Sequence, residues 1–216
     1  MKQHIIEKIL EYKAIAIVRG IYGEDCLNLA KALYKGGIKL LEATFDQKSQ
    51  QEREKTAETI KLLCREMGDK MLFGAGTVTT PEMVQMAKDA GATFIISPDT
   101  CEEVIRATVE AGLVSIPGAL TPTEIAQAHR FGADFVKVFP AGNLGVEYVK
   151  SVKAPLSHIK MLAVGGVNLE TIPQYKKIGV AGFGLSSNII DKKKVDDGDF
   201  AAITALAKKY VTLIKE

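Results

Sequence analysis

FVKVFPAG (residues 135–142) reads as a buried strand and its end. Phe135, Val136, Val138 and Phe139 are apolar, and Pro140 and Gly142 stop the run. Lys137 stands in the middle of it. Lysine is almost never fully buried without a partner, and removing its ammonium from water is costly. Side chains alternate along a strand, so Phe135, Lys137 and Phe139 share one face and Val136 and Val138 the other. If the valines pack outward on helices, Lys137 points inward between two phenylalanines.

The same kind of run recurs along the chain. The others are AIAIVR (14–19), IKLLEATF (38–45), KMLFGAG (70–76), TFIISP (93–98), LVSIPG (113–118), KMLAVGG (160–166) and VAGFGLS (180–186). Between them lie amphipathic helical stretches, and near-continuous apolar strands suit a parallel sheet covered on both faces. Thr80-Pro81-Glu82 and Thr121-Pro122-Thr123-Glu124 supply helix caps, and Asn168-Leu169-Glu170 is read the same way. Gly36-Gly37, Gly91, Gly112, Gly132 and Gly179 stand where helices should stop. SQQEREKTAETIKLLCREM reads as a helix with a solvated face, and FAAITALAKKYVTLIKE as a last helix packed on the body. Eight strands, each followed by a helix, predict an α/β fold: a (β/α)8 TIM barrel, with residues 2–12 as an extra N-terminal helix at its bottom. The rival is an open doubly wound sheet, but its Gly-x-Gly-x-x-Gly fingerprint is missing after the first strand.

At 216 residues the expectation is one barrel domain spanning 1–216. The formal charge of +2 and the scattered basic residues give no reason to expect nucleic acid or an anionic membrane as partner. No apolar run approaches the ~20 residues of a transmembrane helix. MKQHIIEKILEYK has helical spacing and is read as neither signal peptide nor anchor. Cys26, Cys64 and Cys101 are odd in number and far apart, which predicts reduced thiols in the cytoplasm rather than disulfides or a zinc site. His4, His129 and His158 are equally dispersed, so no metal is expected.

Residues foreign to an apolar strand cluster at the C-terminal ends of the runs: Arg19, Glu42, Gly74 to Thr77, Ser97-Pro98, Pro117-Gly118, Lys137, Phe139-Pro140, Gly165-Gly166 and Gly184 to Ser187. In a barrel these ends converge on one mouth, where barrel active sites lie. Two readings of Lys137 stand at this point. A desolvated amine is favoured in its neutral, nucleophilic form; alternatively the side chain snorkels to the mouth and pairs with a carboxylate. Glu42 shares a face with Leu40 and Thr44. It is either a proton carrier or a structural ion-pair partner of Lys137 or Arg19. VGGVN (164–168) just before a helix, and GLSSN (184–188) with the hydroxyls of Ser186 and Ser187, read either as tight turns or as a phosphate site.

With these residues in place, nearly the whole chain resembles the class I pyruvate aldolases that cleave 2-keto-3-deoxy-6-phosphogluconate and related 2-keto acids. The motifs IAIVRG, LEATF, GAGTV, ISP, IPG with TPTE, FVKVFPA, VGGVN and GLSS occur in the family's order. The resemblance implies a (β/α)8 barrel assembled as a homotrimer, with no metal or organic cofactor. It implies a small-molecule 2-keto acid phosphate as substrate, or 4-hydroxy-2-oxoglutarate. On its terms Lys137 forms a Schiff base with the substrate ketone and Glu42 is the general acid and base. Thr77 and the region around Pro98 hold the pyruvyl end, and Phe139 packs beside it. Gly165, Gly166 and Ser187 hold the phosphate.

Two departures stand out. Many members carry an arginine shortly after the glutamate to bind the substrate carboxylate, where this chain has Asp46; Arg19 is the substitute. Many have Pro-Thr before the glycine pair, where this chain has Ala163-Val164, a form more similar to the branch acting on the phosphogalactonate epimer. Two other functions remain open at this stage: a phosphosugar isomerase or epimerase on the same barrel, and a catalytically silent sugar-acid-binding barrel.

Overall fold

A computed structural model describes residues 1–216. Helix α1 (Lys2–Tyr12) leads into β1 (Ala14–Val18). Then follow α2 (Gly23–Lys35), β2 (Leu40–Thr44), α3 (Gln50–Met67), β3 (Leu72–Gly76), α4 (Pro81–Asp89), β4 (Phe94–Ile96) and α5 (Glu102–Glu110). The fifth run holds two short strands, β5 (Val114–Ile116) and β6 (Gly118–Ala119). The chain continues through α6 (Pro122–Arg130), β7 (Val136–Val138), α7 (Ala141–Lys153), β8 (Met161–Val164), α8 (Ile172–Lys177), β9 (Gly182–Leu185), α9 (Lys192–Asp196) and α10 (Phe200–Lys215).

Every ladder is parallel, in the order β5-β4-β3-β2-β1-β9-β8-β7-β6. The expected eight strands become nine segments because Pro117 divides the fifth. β5 pairs with β4 and β6 with β7, so the chain itself closes the ring across Pro117. Proline has no N–H for a ladder, but its carbonyl accepts from the Lys137 amide at 2.8 Å. That bond registers the lysine strand against its neighbour.

The two faces of the strands separate into two cores. Val136, Val138, Leu41 and Ala43 join the layer between sheet and helices. Ile15, Ile17, Leu40, Phe94, Ile96, Val114, Ile116, Phe135, Leu162 and Val164 fill the barrel interior. This is the alternation expected from strand geometry. Ile5 and Ile9 of α1 belong to the interior group, so the leading helix plugs the bottom. Lys2 reinforces it through an ion pair with Asp134 at 2.9 Å, and Asp134 also accepts from the Ser115 amide.

The cap readings hold at Thr80 and Thr121. Thr80 accepts from the Met83 amide, and Thr121 with Glu124 forms a reciprocal capping box. Asn168 differs. Its side chain accepts from the Glu170 and Thr171 amides and opens a turn, and α8 starts only at Ile172. Local side-chain capping of a turn competes with helix initiation at such residues. His129 and His158, distant in sequence, lie edge to face with ring centroids 5.1 Å apart, both exposed. No group of three or more His, Cys, Asp or Glu is placed to hold a metal ion. No helix is long and apolar enough to cross a membrane.

If α1 is a structural floor, Ile9→Ala should cost about 2–5 kcal/mol of folding stability, because Ile9 is fully buried in the interior group. Glu7→Ala, on the exposed side of the same helix, should stay within about 0.5 kcal/mol. Urea denaturation of both variants measures the contrast.

Candidate active site

Glu42 sits on β2 with Ile17 of β1 and Gly74 of β3 beside it in register. Lys137 sits on β7 between Gly118 and Leu162. Each therefore has a glycine neighbour on one side. The inward face of β2 carries Leu40, Glu42 and Thr44, and the Thr44 hydroxyl donates to Glu42 Oε1 at 3.4 Å. A Cβ at Gly76 would overlap the Glu42 carboxylate, so that glycine makes the space the carboxylate occupies. Gly74 does the same for the ring of Phe94, which forms part of the apolar interior beneath.

Both ionisable groups are withdrawn from water. Glu42 is 2% exposed and Lys137 9%. No ion pair joins them, and none joins Glu42 to Arg19. Glu42 Oε2 is buried with no hydrogen-bond partner. The structural ion-pair reading of Glu42 thus finds no support. Burial pushes the Glu42 carboxyl above the ordinary carboxylate value; the charges of Lys137 and Arg19 and the Thr44 hydroxyl pull it down only in part. Burial likewise holds the Lys137 amine below the ordinary lysine value. Glu42 opposes that shift and the positive charge of Arg19 adds to it. Lys137 Nζ stands 4.6 Å from the centroid of the Phe139 ring, which is itself 39% exposed at the mouth. Lys137 is thus shielded from water without a carboxylate bound to it.

A cavity of about 350 Å³ opens above these two groups. All ten residues singled out in the sequence line it: Arg19, Glu42, Thr77, Pro98, Lys137, Phe139, Gly165, Gly166, Ser186 and Ser187. Arg19 reaches it from the end of β1 and donates to Thr77 Oγ1 at 3.2 Å. Thr77 has φ of 53°, a left-handed conformation that is rare for a β-branched residue. Gln47 holds it there by donating to the Thr77 carbonyl at 2.8 Å. Asp46 accepts from the Lys48 amide and does not line the cavity.

On the other side, Gly165 and Gly166 have φ of 86° and 74°. A Cβ on Gly165 would press on the Phe139 ring, and Gly142 donates to the Gly165 carbonyl at 2.7 Å. The glycine turn is thereby packed against the start of α7, just after the lysine strand. Because α8 begins at Ile172 and spans six residues, this turn, rather than a helix end, faces the cavity. Ile17, Val164, Val167, Gly184 and Asn188 also line it. The apolar ones look like core residues in sequence. Nothing local distinguishes Asn188 or Gln47 from a solvated loop residue; each acts through a bond to a carbonyl on a different loop.

A larger groove of about 560 Å³ lies outside the barrel between α7 and α8, lined by Lys150, Lys153 and Lys177 among others. It brings together no carboxylate–amine pair withdrawn from water. The three cysteines are free. Burial raises the Cys26 thiol to about 12 and the Cys64 thiol to about 11, so both are poor nucleophiles.

The chain is similar to known proteins over nearly its whole length. The family model "KDPG and KHG aldolase" matches residues 5–206. The chain is 36% identical over 176 residues to 2-dehydro-3-deoxy-6-phosphogalactonate aldolase of Escherichia coli K12, covering 81% of this chain and 83% of the relative. It is 33% identical to 2-dehydro-3-deoxy-phosphogluconate aldolase of Treponema pallidum, covering 97% of each. Among solved structures, the Legionella pneumophila KDPG aldolase "with pyruvate captured at low pH as a covalent carbinolamine intermediate" superposes with TM-score 0.82 at 28% identity, covering 94% of this chain and 96% of that one. Fold, motif order and sequence match agree over nearly the full length: this chain belongs to the KDPG and KHG aldolase family.

Proposed function

We propose that this protein is a class I, Schiff-base aldolase. It cleaves a 2-keto-3-deoxy-6-phospho sugar acid of the phosphogluconate or phosphogalactonate type to pyruvate and glyceraldehyde 3-phosphate. Turnover of 4-hydroxy-2-oxoglutarate to pyruvate and glyoxylate belongs to the same chemistry. The observation that carries the reading is a shielded, unpaired lysine facing a cavity that also holds a protonatable carboxylate.

The steps follow from those two groups. The lone pair of neutral Lys137 Nζ adds to the C2 carbonyl, whose oxygen takes a proton to give a carbinolamine. Loss of water leaves an iminium. Ionised Glu42 takes the proton that Lys137 loses on becoming neutral, passes it to the departing hydroxyl and is left as carboxylate again. As the C4 hydroxyl gives its proton to the Glu42 carboxylate, the C3–C4 bonding electrons move into the iminium. The aldehyde leaves and an enamine of pyruvate remains on the lysine. Protonation at C3 and hydrolysis of the new iminium release pyruvate and the free amine. Glu42 serves as proton carrier in both directions, which suits a carboxyl whose burial brings its titration closer to neutrality.

Arg19 is assigned to the substrate carboxylate. It is the cation of the mouth that stands beside Thr77, and Asp46 cannot take that part. Pro98 and Phe139 border the pyruvyl end. Gly165, Gly166, Ser186 and Ser187 are assigned to the phosphate, since two left-handed glycines and two hydroxyls offer donors without anionic competitors. Two further proposals rest on the family resemblance and the free thiols: a homotrimeric assembly, and a reducing, cytoplasmic location.

Incubation with pyruvate and borohydride should add a reduced pyruvyl group to Lys137, located by peptide mapping. Lys137→Arg keeps the charge and loses the nucleophile, so the folded variant should neither trap pyruvate nor turn over. Measurable turnover in that variant would overturn the Schiff-base assignment.

The pH profile tests Glu42. Its carboxyl is raised, so it takes up a proton at higher pH than an ordinary carboxylate, and the ionised form needed as base disappears there. The acid limb of kcat/KM should therefore lie above the usual carboxylate range. Glu42→Gln should lower kcat roughly 100- to 10,000-fold and remove the Glu42 contribution to that limb. A Gln variant with an unchanged limb would assign the titration to another group.

A further inference from the structure

The loops after β8 and β9 face each other across the phosphate end of the cavity, and almost nothing holds them together. The last ladder pair is Val164 with Gly184. Beyond it no backbone hydrogen bond joins residues 165–168 to residues 186–190. A single side-chain bond does: Asn188 Nδ2 donates to the Val167 carbonyl at 2.6 Å.

Both ends of that bond are anchored. On the β9 side, the Ile189 and Ile190 amides each donate to the Ser186 carbonyl at 2.9 Å, and both isoleucine side chains are buried. Asn188 thus projects from a pinned turn. On the β8 side, Val167 is buried. The turn before it is packed on Gly142, and the turn after it is closed by Asn168 on itself. Val167 is the one point of the glycine turn that the opposite loop grips.

We propose that Asn188 is a positioning residue that sets the gap between the Gly165–Gly166 turn and the Ser186–Ser187 hydroxyls, and through that gap the preference for a phosphorylated substrate. The inference rests on the aldolase reading and deepens it. Donors on two separate loops bind one anion well only when their spacing is held before the anion arrives; otherwise binding must order them. Lys137 and Glu42 lie on strands and do not depend on the bridge. Its loss should therefore fall on the phosphate and spare the chemistry.

The test compares a phosphorylated 2-keto-3-deoxy sugar acid with 4-hydroxy-2-oxoglutarate, which has no phosphate. In Asn188→Ala the loss of one hydrogen bond should raise KM for the phosphorylated substrate roughly 3- to 10-fold. Its kcat, and kcat/KM for 4-hydroxy-2-oxoglutarate, should stay within about two-fold of wild type. Inorganic phosphate should weaken as an inhibitor in parallel. Asn188→Asp keeps the shape but puts an oxygen against the Val167 carbonyl, and should show the same selective shift. An equal loss on both substrates would overturn the proposal, because a general structural role predicts it. No change on either substrate would overturn it as well. If wild type traps pyruvate but shows no preference for the phosphorylated acid, the phosphate assignment fails and this inference with it. If wild type does not trap pyruvate, it is the aldolase reading that fails, and the proposal falls for that separate reason.

Discussion

Two ionisable side chains stand in a barrel whose other inward residues are largely apolar, and they are held there without an ion pair. Removing an amine and a carboxylate from water costs several kcal/mol apiece when they stay charged. The protein does not relieve that cost by bringing them together. It lets burial pull the amine down and push the carboxyl up, so that both titrate closer to neutrality. The roles proposed for them, an amine that attacks a ketone and a carboxyl that shuttles protons, need that condition. The rest of the mouth can be understood as what maintains it.

Space is the first requirement. Glycines at 74 and 76 leave room for Phe94 and for the Glu42 carboxylate, and Gly118 lies beside Lys137 in the sheet. A strand interior is a poor place for glycine, which packs nothing and orders at an entropic cost. Here it is tolerated because the neighbouring side chain fills the volume. Shape is the second requirement. Phe135 and the interior aliphatic residues form a dry base under the amine, α1 seals the bottom, and Phe139 screens the amine from the solvent side.

The outer rim is built differently. Thr77, Gly165, Gly166 and the turn after β9 lie beyond the ends of the ladders, so side chains take over from backbone pairing. Gln47 holds the Thr77 carbonyl, Arg19 holds the Thr77 hydroxyl, and Asn188 holds the Val167 carbonyl. These few bonds keep loops with strained or left-handed backbone in one arrangement. The strand-borne Lys137 and Glu42 and the outer rim are therefore supported by separate structures.

The sequence by itself determined the strands, their two faces and the mouth. Period-two alternation in FVKVF and KLLEATF is a local property, and it puts Lys137 with Phe135 and Phe139, and Glu42 with Leu40 and Thr44, on one face whatever the distant packing. Convergence of odd residues at strand ends required only the barrel closure. What needed the tertiary structure was everything that joins one loop to another. Pro117 divides the fifth strand because the strands on either side of it pair with its two halves separately. Asn168 closes its own turn instead of starting a helix, and the pairing of His129 with His158 crosses a whole βα unit. The absence of an ion pair between Lys137 and Glu42, which removes the support for a structural pairing, is a distance across the barrel. Gln47 and Asn188 look like ordinary loop residues because their partners are backbone carbonyls, which every residue carries and no sequence pattern marks.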